Sequence, residues 1–427
     1  MMAAAGRSGV TCFLVPGIDL ETSIAASRLS DTRSCVFAAA GIHPNDLGTG
    51  PDFGMEGIPE VLIGPGVIAV GETGMDLYHE RSAEERQREA FLRHIEMAEA
   101  FGLTLVVHSR GAEAQVLDTL GENVTVPVVM HCYTGPVDLA QKACARGFYI
   151  GFAGPVTYAG NGRLREMAAC LPKDRILAET DSPYLSPEPV RGGRNEPANL
   201  VYTVETISEA LGEDLDSTAR QLRSNSMKAF QLCEHRRTDL IYRVFGNLYM
   251  NITGRCANHC RFCIRDRTDG LGGYYLRHAG EPEERRLRGI AALLPEGFGR
   301  ELVFCGYGEP TMRPLLLREL ALAASGKGYS VRLDTNGTCL LNMSIGQVLD
   351  MLEPFAAVSV SLNASSEEEY SRLCRPEDPG AWKSLMDFIQ LAGARVRLEA
   401  TAVRYPGVDI GSVSELAGSL GLPFRVR

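Results

Sequence analysis

No stretch of this 427-residue chain is apolar for long enough to span a membrane. Its start, MMAAAGRSG, is Ala-rich but lacks the apolar core of a signal peptide, so the expected location is the cytoplasm. An excess of positive charge is also missing: 43 Lys and Arg stand against 53 Asp and Glu, a formal charge of −10. That balance argues against broad electrostatic binding of nucleic acid, although local metal and arginine contacts would still permit a nuclease. Low-complexity segments and short internal repeats are absent. The 12 cysteines, in a chain this large, read as thiols of a reducing compartment. No second C-x2-C pair accompanies the string CANHCRFC, which removes the usual four-ligand zinc site.

That string is the most informative one present. Cys256, Cys260 and Cys263 can grip three irons of a 4Fe-4S cubane and leave the fourth open to bind and reduce a small molecule. The pattern C-x3-C-x-aromatic-C, with Phe262 before the last cysteine, resembles the radical S-adenosylmethionine (radical SAM) superfamily. Downstream, ELVFCGYGEP ends in a loop whose Gly306 and Gly308 let backbone groups approach a ligand closely. With Glu309 it is similar to the superfamily's GxGEP loop, which holds the methionine amino group. SVRLDTNG with Asn336, AAVSVSLNA with Ser359, Ser361 and Asn363, RVRLEATAV with Glu399, and LPFRVR follow. The resemblance implies that the first two of these strands contact the nucleoside or carboxylate of S-adenosylmethionine and that the last two complete the set.

With GNLYMNITG before the cysteines, the β-branched runs number six and alternate with helical stretches, which predicts parallel βα units. The resemblance implies a partial (βα)6 barrel over 245–427 and an electron donor such as flavodoxin or ferredoxin. It also implies a 5′-deoxyadenosyl radical that abstracts hydrogen from an unknown substrate. Cys305, Cys339 and Cys374 are isolated along the chain, and none follows Cys374, so no auxiliary cluster is expected.

The first half carries different chemistry. VTCFLVPG, CVFAAAGIHP, VIAVGETG, LTLVVHSR, VPVVMHCYTG, FYIGFAG and RILAETDSP are apolar runs separated by helical stretches, the pattern of buried parallel strands. Glu72, His108, His131 and Asp181 fall at their C-terminal ends, where α/β barrels build active sites. His and carboxylate together suit a divalent ion such as Zn, Mn or Mg. These strings, with RGGRNEPAN and QLRSNSMKAFQL, resemble the TatD family of metal-dependent hydrolases in order and spacing. The resemblance implies that Glu72 bridges two metals, that His108 and His131 bind one, and that Asp181 binds the other or positions the attacking water. It makes Glu72 and Asp181 the catalytic pair, and His43, Arg110 and Arg194 phosphate contacts. The implied reaction is phosphodiester hydrolysis, deoxyribonuclease-like.

One departure stands out. The runs number seven, whereas a closed barrel of this type needs eight. The family's first strand carries His-x-His, and here MMAAAGRSGVTCFLVPG aligns with the end of the helix after it. A recorded start that is too late is the expectation, the alternative being a remnant barrel that serves as scaffold. The predicted fold class is α/β: a TIM-type (βα)8 barrel lacking its first strand, over 1–235, a linker at 236–244, and the partial barrel over 245–427. The expected protein is a bifunctional fusion. A rival reading, a hydrolase with an Fe-S redox or iron sensor, does not account for the GYGEP loop.

Overall fold

The computed structural model describes residues 1–79 and 84–427. The chain divides into two compact units, Met1–Arg237 and Thr238–Arg427.

In the first unit, among the described residues, one sheet runs β1 (Phe13–Pro16), β2 (Val36–Ala40), β3 (Val67–Asp76), β4 (Thr104–Arg110), β5 (Val128–Met130), β6 (Tyr149–Phe152) and β7 (Ile176–Ala178). Spatial order equals chain order, and every pairing is parallel. The continuous apolar runs follow from helices covering the sheet. The helix Glu84–Phe101 packs on β3 and buries Ala90, Phe91, His94, Met97, Ala98 and Phe101, spaced as one helical face. The helix Leu20–Thr32 packs on β2 and begins in a reciprocal cap between Asp19 and Thr22.

Leu14, Phe37, Ile68, Val106, Val129 and Leu177, from six of these strands, line a single cavity of about 410 Å³. The sheet therefore curls around a common interior. The predicted seven strands are present, and the curled sheet is left with β1 and β7 as unpaired edges among the described residues.

The second unit holds another seven-stranded sheet among the described residues. It comprises β8 (Ile241–Val244), β9 (Asn247–Met250), β12 (Glu301–Phe304), β13 (Ser330–Thr335), β14 (Ala357–Ser361), β15 (Arg397–Ala402) and β16 (Phe424–Val426), with a small hairpin, β10 (Gly270–Leu271) and β11 (Tyr274–Tyr275), between β9 and β12. From β9 to β16 the strands are parallel and in chain order, which is the predicted partial barrel.

The linker expected at 236–244 needs correction. It contains β8, which pairs antiparallel with β9 across a turn at Phe245 and Gly246, both with positive φ. Ile241 and Tyr242 are buried there, so this short β-prone run earns its place by tertiary packing.

Candidate metal centre and cysteine-loop site

In the first unit the side chains at the C-terminal strand ends converge. Glu72, in β3, is buried, and its Oε1 lies 3.0 Å from His108 Nδ1, in β4. The other ring nitrogen of His108 is 3.2 Å from Asp76 Oδ2. Asp76 is fully buried and receives the Tyr78 and His79 backbone N–H groups, both at 3.0 Å, and the Asn45 amide at 3.1 Å. Burial opposes ionisation of Asp76, but the His79 hydrogen bonds, Asn45 and His108 hold it well below the usual carboxylate range. Burial likewise opposes ionisation of Glu72, and the charge on His131 and the contacts of His108 bring it down to about 2.

His131 follows β5. Its Nδ1 lies 2.9 Å from Glu179 Oε2 and its Nε2 3.2 Å from Asp181 Oδ1. Burial disfavours the imidazolium, but Glu179, Glu72 and Asp181 outweigh it and raise His131 well above its ordinary value. Asp181 is held in the left-handed region, at φ 56, as is Cys132, at φ 43. Such conformations persist where surrounding bonds enforce them. Here the Cys132 N–H donates to Glu179, and the buried Asn195 amide donates to the carbonyls of Thr180 and Tyr184, each at 2.7 Å.

His43, Glu72 and His108 offer ligand atoms that all lie within 4.8 Å of one another. His43 is nevertheless set up as a donor. The Asn45 N–H donates to its Nδ1 at 3.2 Å, so a neutral ring carries its hydrogen on Nε2, which faces Glu72 at 3.9 Å. Burial and the neighbouring His108 lower its pKa and favour that neutral ring. Arg194 lines the same cavity as Glu72, His131 and Asp181. Arg110 instead lies over the Tyr78 ring at 4.3 Å. The donor set of carboxylates and imidazoles fits a hard to borderline divalent ion.

Asp76 and Glu179 stand inside the motifs GETGMD and ETDSP, yet sequence reasoning gave them no role. His94 was also missed. It accepts the Ile42 N–H on Nε2 at 3.0 Å and faces the Ala90 carbonyl with Nδ1 at 2.8 Å, which fixes the loop leading to His43.

In the second unit the cysteine loop follows β9, and the GYGEP loop follows β12. Glu309 is the hub. Its Oε1 accepts the Thr311 N–H (3.1 Å), the Thr311 hydroxyl (2.7 Å) and the Thr335 hydroxyl (2.8 Å), while Oε2 accepts the Asn336 N–H (2.7 Å). Burial still pushes its pKa up against these donors. The Asn336 amide reaches Cys256 Sγ at 3.8 Å. A Cβ on Gly308 would sit 2.3 Å from the Thr253 carbonyl oxygen, and one on Gly306 2.0 Å from Asn251 Oδ1. These glycines therefore let the two loops touch, which suits a cradle for a cluster and its ligand. Phe262 packs edge-on against Tyr405 at 5.8 Å.

The remaining expected positions are divided. Ser359 is buried among charges, accepting from Arg332 at 3.2 Å and reaching Glu399 at 3.5 Å. Arg332 in turn forms a two-pronged pair with Glu301 and bonds Asp334. Asn363, at φ 57, accepts the Val403 N–H at 2.9 Å and ties two strand ends together. Ser361 lies at the end of β14, paired with Thr401. Cys374, isolated in sequence, ends the segment whose carbonyls accept the N–H groups on either side of Cys260, His259 to Cys374 at 3.0 Å and Arg261 to Leu373 at 2.9 Å.

A metal-dependent hydrolase barrel joined to a radical SAM domain is the class that these two units define. The profile of the TatD related DNase family matches residues 1–231, and the chain belongs to that family. The Radical SAM superfamily profile matches residues 250–419, so both units carry enzyme domains.

An uncharacterized metal-dependent hydrolase, YabD of Bacillus subtilis, is 32% identical over 221 residues, covering 51% of this chain and 87% of its own. The 3′-5′ ssDNA/RNA exonuclease TatD of Escherichia coli is 33% identical over 221 residues, covering 50% of this chain and 85% of its own. Among solved structures, the TatD homolog YjjV of Escherichia coli superposes with a TM-score of 0.52 at 26% identity, covering 54% of this chain and 90% of that one. No helix among the described residues is long and apolar enough to cross a membrane.

Proposed function

We propose that the first unit hydrolyses phosphodiester bonds of single-stranded nucleic acid. Divalent ions would be held by Glu72, His108 and His131 on one side and by Glu72 with Asp181 on the other. When bound, such ions supply Lewis acidity and lower the pKa of water. The chain's own residues do the rest. Asp76 and Glu179 orient the rings of His108 and His131 through Nε2 and Nδ1 respectively. Glu72, ionised even at low pH, would supply a carboxylate to the ions. Asp181, fixed by the Asn195-bonded loop, positions the attacking water. His43 donates Nε2–H to a phosphate oxygen, and Arg194 and Arg110 meet neighbouring phosphates. The observation that carries this reading is the convergence of Glu72, His108, His131 and Asp181 on one end of the curled sheet.

For the second unit we propose a 4Fe-4S cluster on Cys256, Cys260 and Cys263, with S-adenosylmethionine at the open iron. That pair supplies a 5′-deoxyadenosyl radical when bound and reduced. Gly306 and Gly308 open the space, Glu309 fixes the loop, Asn336 lies beside Cys256, and Phe262, Ser359, Ser361 and Asn363 would help hold the cofactor. A one-electron carrier such as flavodoxin or ferredoxin would serve as donor.

The test uses the full chain loaded with Mn2+ or Zn2+ and a 5′-labelled single-stranded oligonucleotide. A ladder of shortened products supports the hydrolase reading, whereas intact substrate with both ions overturns it. Anaerobic reconstitution with iron and sulfide, then dithionite and S-adenosylmethionine, should release 5′-deoxyadenosine. Its absence from a protein holding the cluster overturns the radical reading. One observation favours a scaffold role for the barrel: the β1 and β7 edges are unpaired among the described residues. The oligonucleotide assay decides between the two.

A further inference from the structure

Cys374 is the last residue of the helix Glu367–Cys374 and is 1% exposed. The chain just there is strapped along the cysteine loop. The His259 N–H donates to the Cys374 carbonyl at 3.0 Å, and the Arg261 N–H donates to the Leu373 carbonyl at 2.9 Å. Asn258 pairs with Pro376 as a bridge, and its amide donates to the Tyr370 hydroxyl at 2.9 Å. Arg375, at φ 45, turns the chain out of the helix, and the Glu377 N–H then donates to the Ala257 carbonyl at 2.9 Å.

Both neighbours of Cys260 are thus tied by their backbone to the segment that carries Cys374. Cys374 therefore lies across from Cys260, in the register that the Asn258–Pro376 bridge sets. Tyr370, also 1% exposed, packs against Trp382, so water has little access to Cys374, while Cys260 is partly exposed toward the loop.

We propose that Cys374 donates its S–H to the sulfur of Cys260 when Cys260 is a cluster ligand, and thereby eases reduction of the cluster. The inference rests on the cysteine-loop reading given above. An added electron places more negative charge on the cluster sulfurs, and a donor at a ligating sulfur stabilises that form over the oxidised one. Burial on the Cys374 side strengthens such a bond. Cys374 touches no substrate and acts through Cys260, as a positioning residue.

The experiment compares the full-length wild type with Cys374→Ala and Cys374→Ser after anaerobic reconstitution. Iron and sulfide per chain are measured first, then the midpoint potential, by dithionite titration followed by electron paramagnetic resonance. The expected result is wild-type iron content in both variants and a more negative midpoint in Cys374→Ala, recovered at least in part by the serine hydroxyl. An unchanged midpoint in Cys374→Ala at full iron content overturns the proposal. Loss of iron from both variants also overturns it, because Cys374 would then be a ligand or a structural thiol. A wild type that takes up no iron and sulfide defeats the cluster reading itself, and the proposal with it.

Discussion

The Gly74 backbone runs so close to His108 that a Cβ on Gly74 would lie 2.1 Å from the His108 carbonyl oxygen. The pairing of β3 with β4 slips between Val70 and Thr73, and Glu72 sits inside that irregularity. The slip turns a carboxylate toward His108, and Gly74, at φ 133, absorbs the geometry.

Gly74→Ala combines a backbone clash with a conformation that L side chains rarely adopt. We expect a loss of about 2 kcal/mol or more in unfolding free energy, read by urea denaturation. A wild-type midpoint would contradict the close approach.

Glu72→Gln keeps the side-chain shape and removes the charge. Divalent-ion affinity, measured by calorimetric titration with Mn2+, should fall by about 100-fold or more, with circular dichroism unchanged. Asp76→Asn, one step further out, should cost roughly 10- to 100-fold.

Asn195→Ala strips a donor from the carbonyls of Thr180 and Tyr184, which flank Asp181. Each hydrogen bond lost at such a half-buried position costs about 0.5–1.5 kcal/mol. Hydrolysis should fall further than the melting temperature explains, because the loop that sets Asp181 relaxes. Activity loss matching only the unfolded fraction would refute that role.

Gly308→Ala should prevent the GYGEP loop from seating on the Thr253 and Arg255 carbonyls, which a Cβ would meet at 2.3 and 2.7 Å. The expected outcome is lost S-adenosylmethionine binding in equilibrium dialysis of the reconstituted protein, while a small surface change such as Gly280→Ala has no effect.

His94 gives a pH dependence of definite sign. Burial lowers its pKa from 6.5 to about 4, so between these values an unfolded chain binds a proton that the folded one refuses. Its contribution is complete above pH 6.5 and is lost as the pH falls toward 4, up to about 3 kcal/mol. His94→Gln keeps an acceptor for the Ile42 N–H and should flatten the stability profile across that window.

Much of this was legible in the chain itself. The apolar runs ending in Glu72, His108, His131 and Asp181 predicted buried parallel strands with polar groups at one end, because strand period and burial are local properties of sequence. The same holds for the cysteine loop and for six strands of the second unit. The strand Ile241–Val244 escaped notice because four residues beside a polar junction carry too weak a pattern.

What the sequence determined by itself was element type, order and the chemistry available at each strand end, since these depend on nearest neighbours and side-chain class. Only the tertiary structure decided that Asp76 and Glu179 back the two histidines, that His43 offers a hydrogen rather than a lone pair, and that the Cys374 segment is strapped to both neighbours of Cys260. Those pairings join segments distant along the chain. Their geometry is set by register slips, left-handed residues and backbone straps, which take shape only when sheets and loops pack against one another.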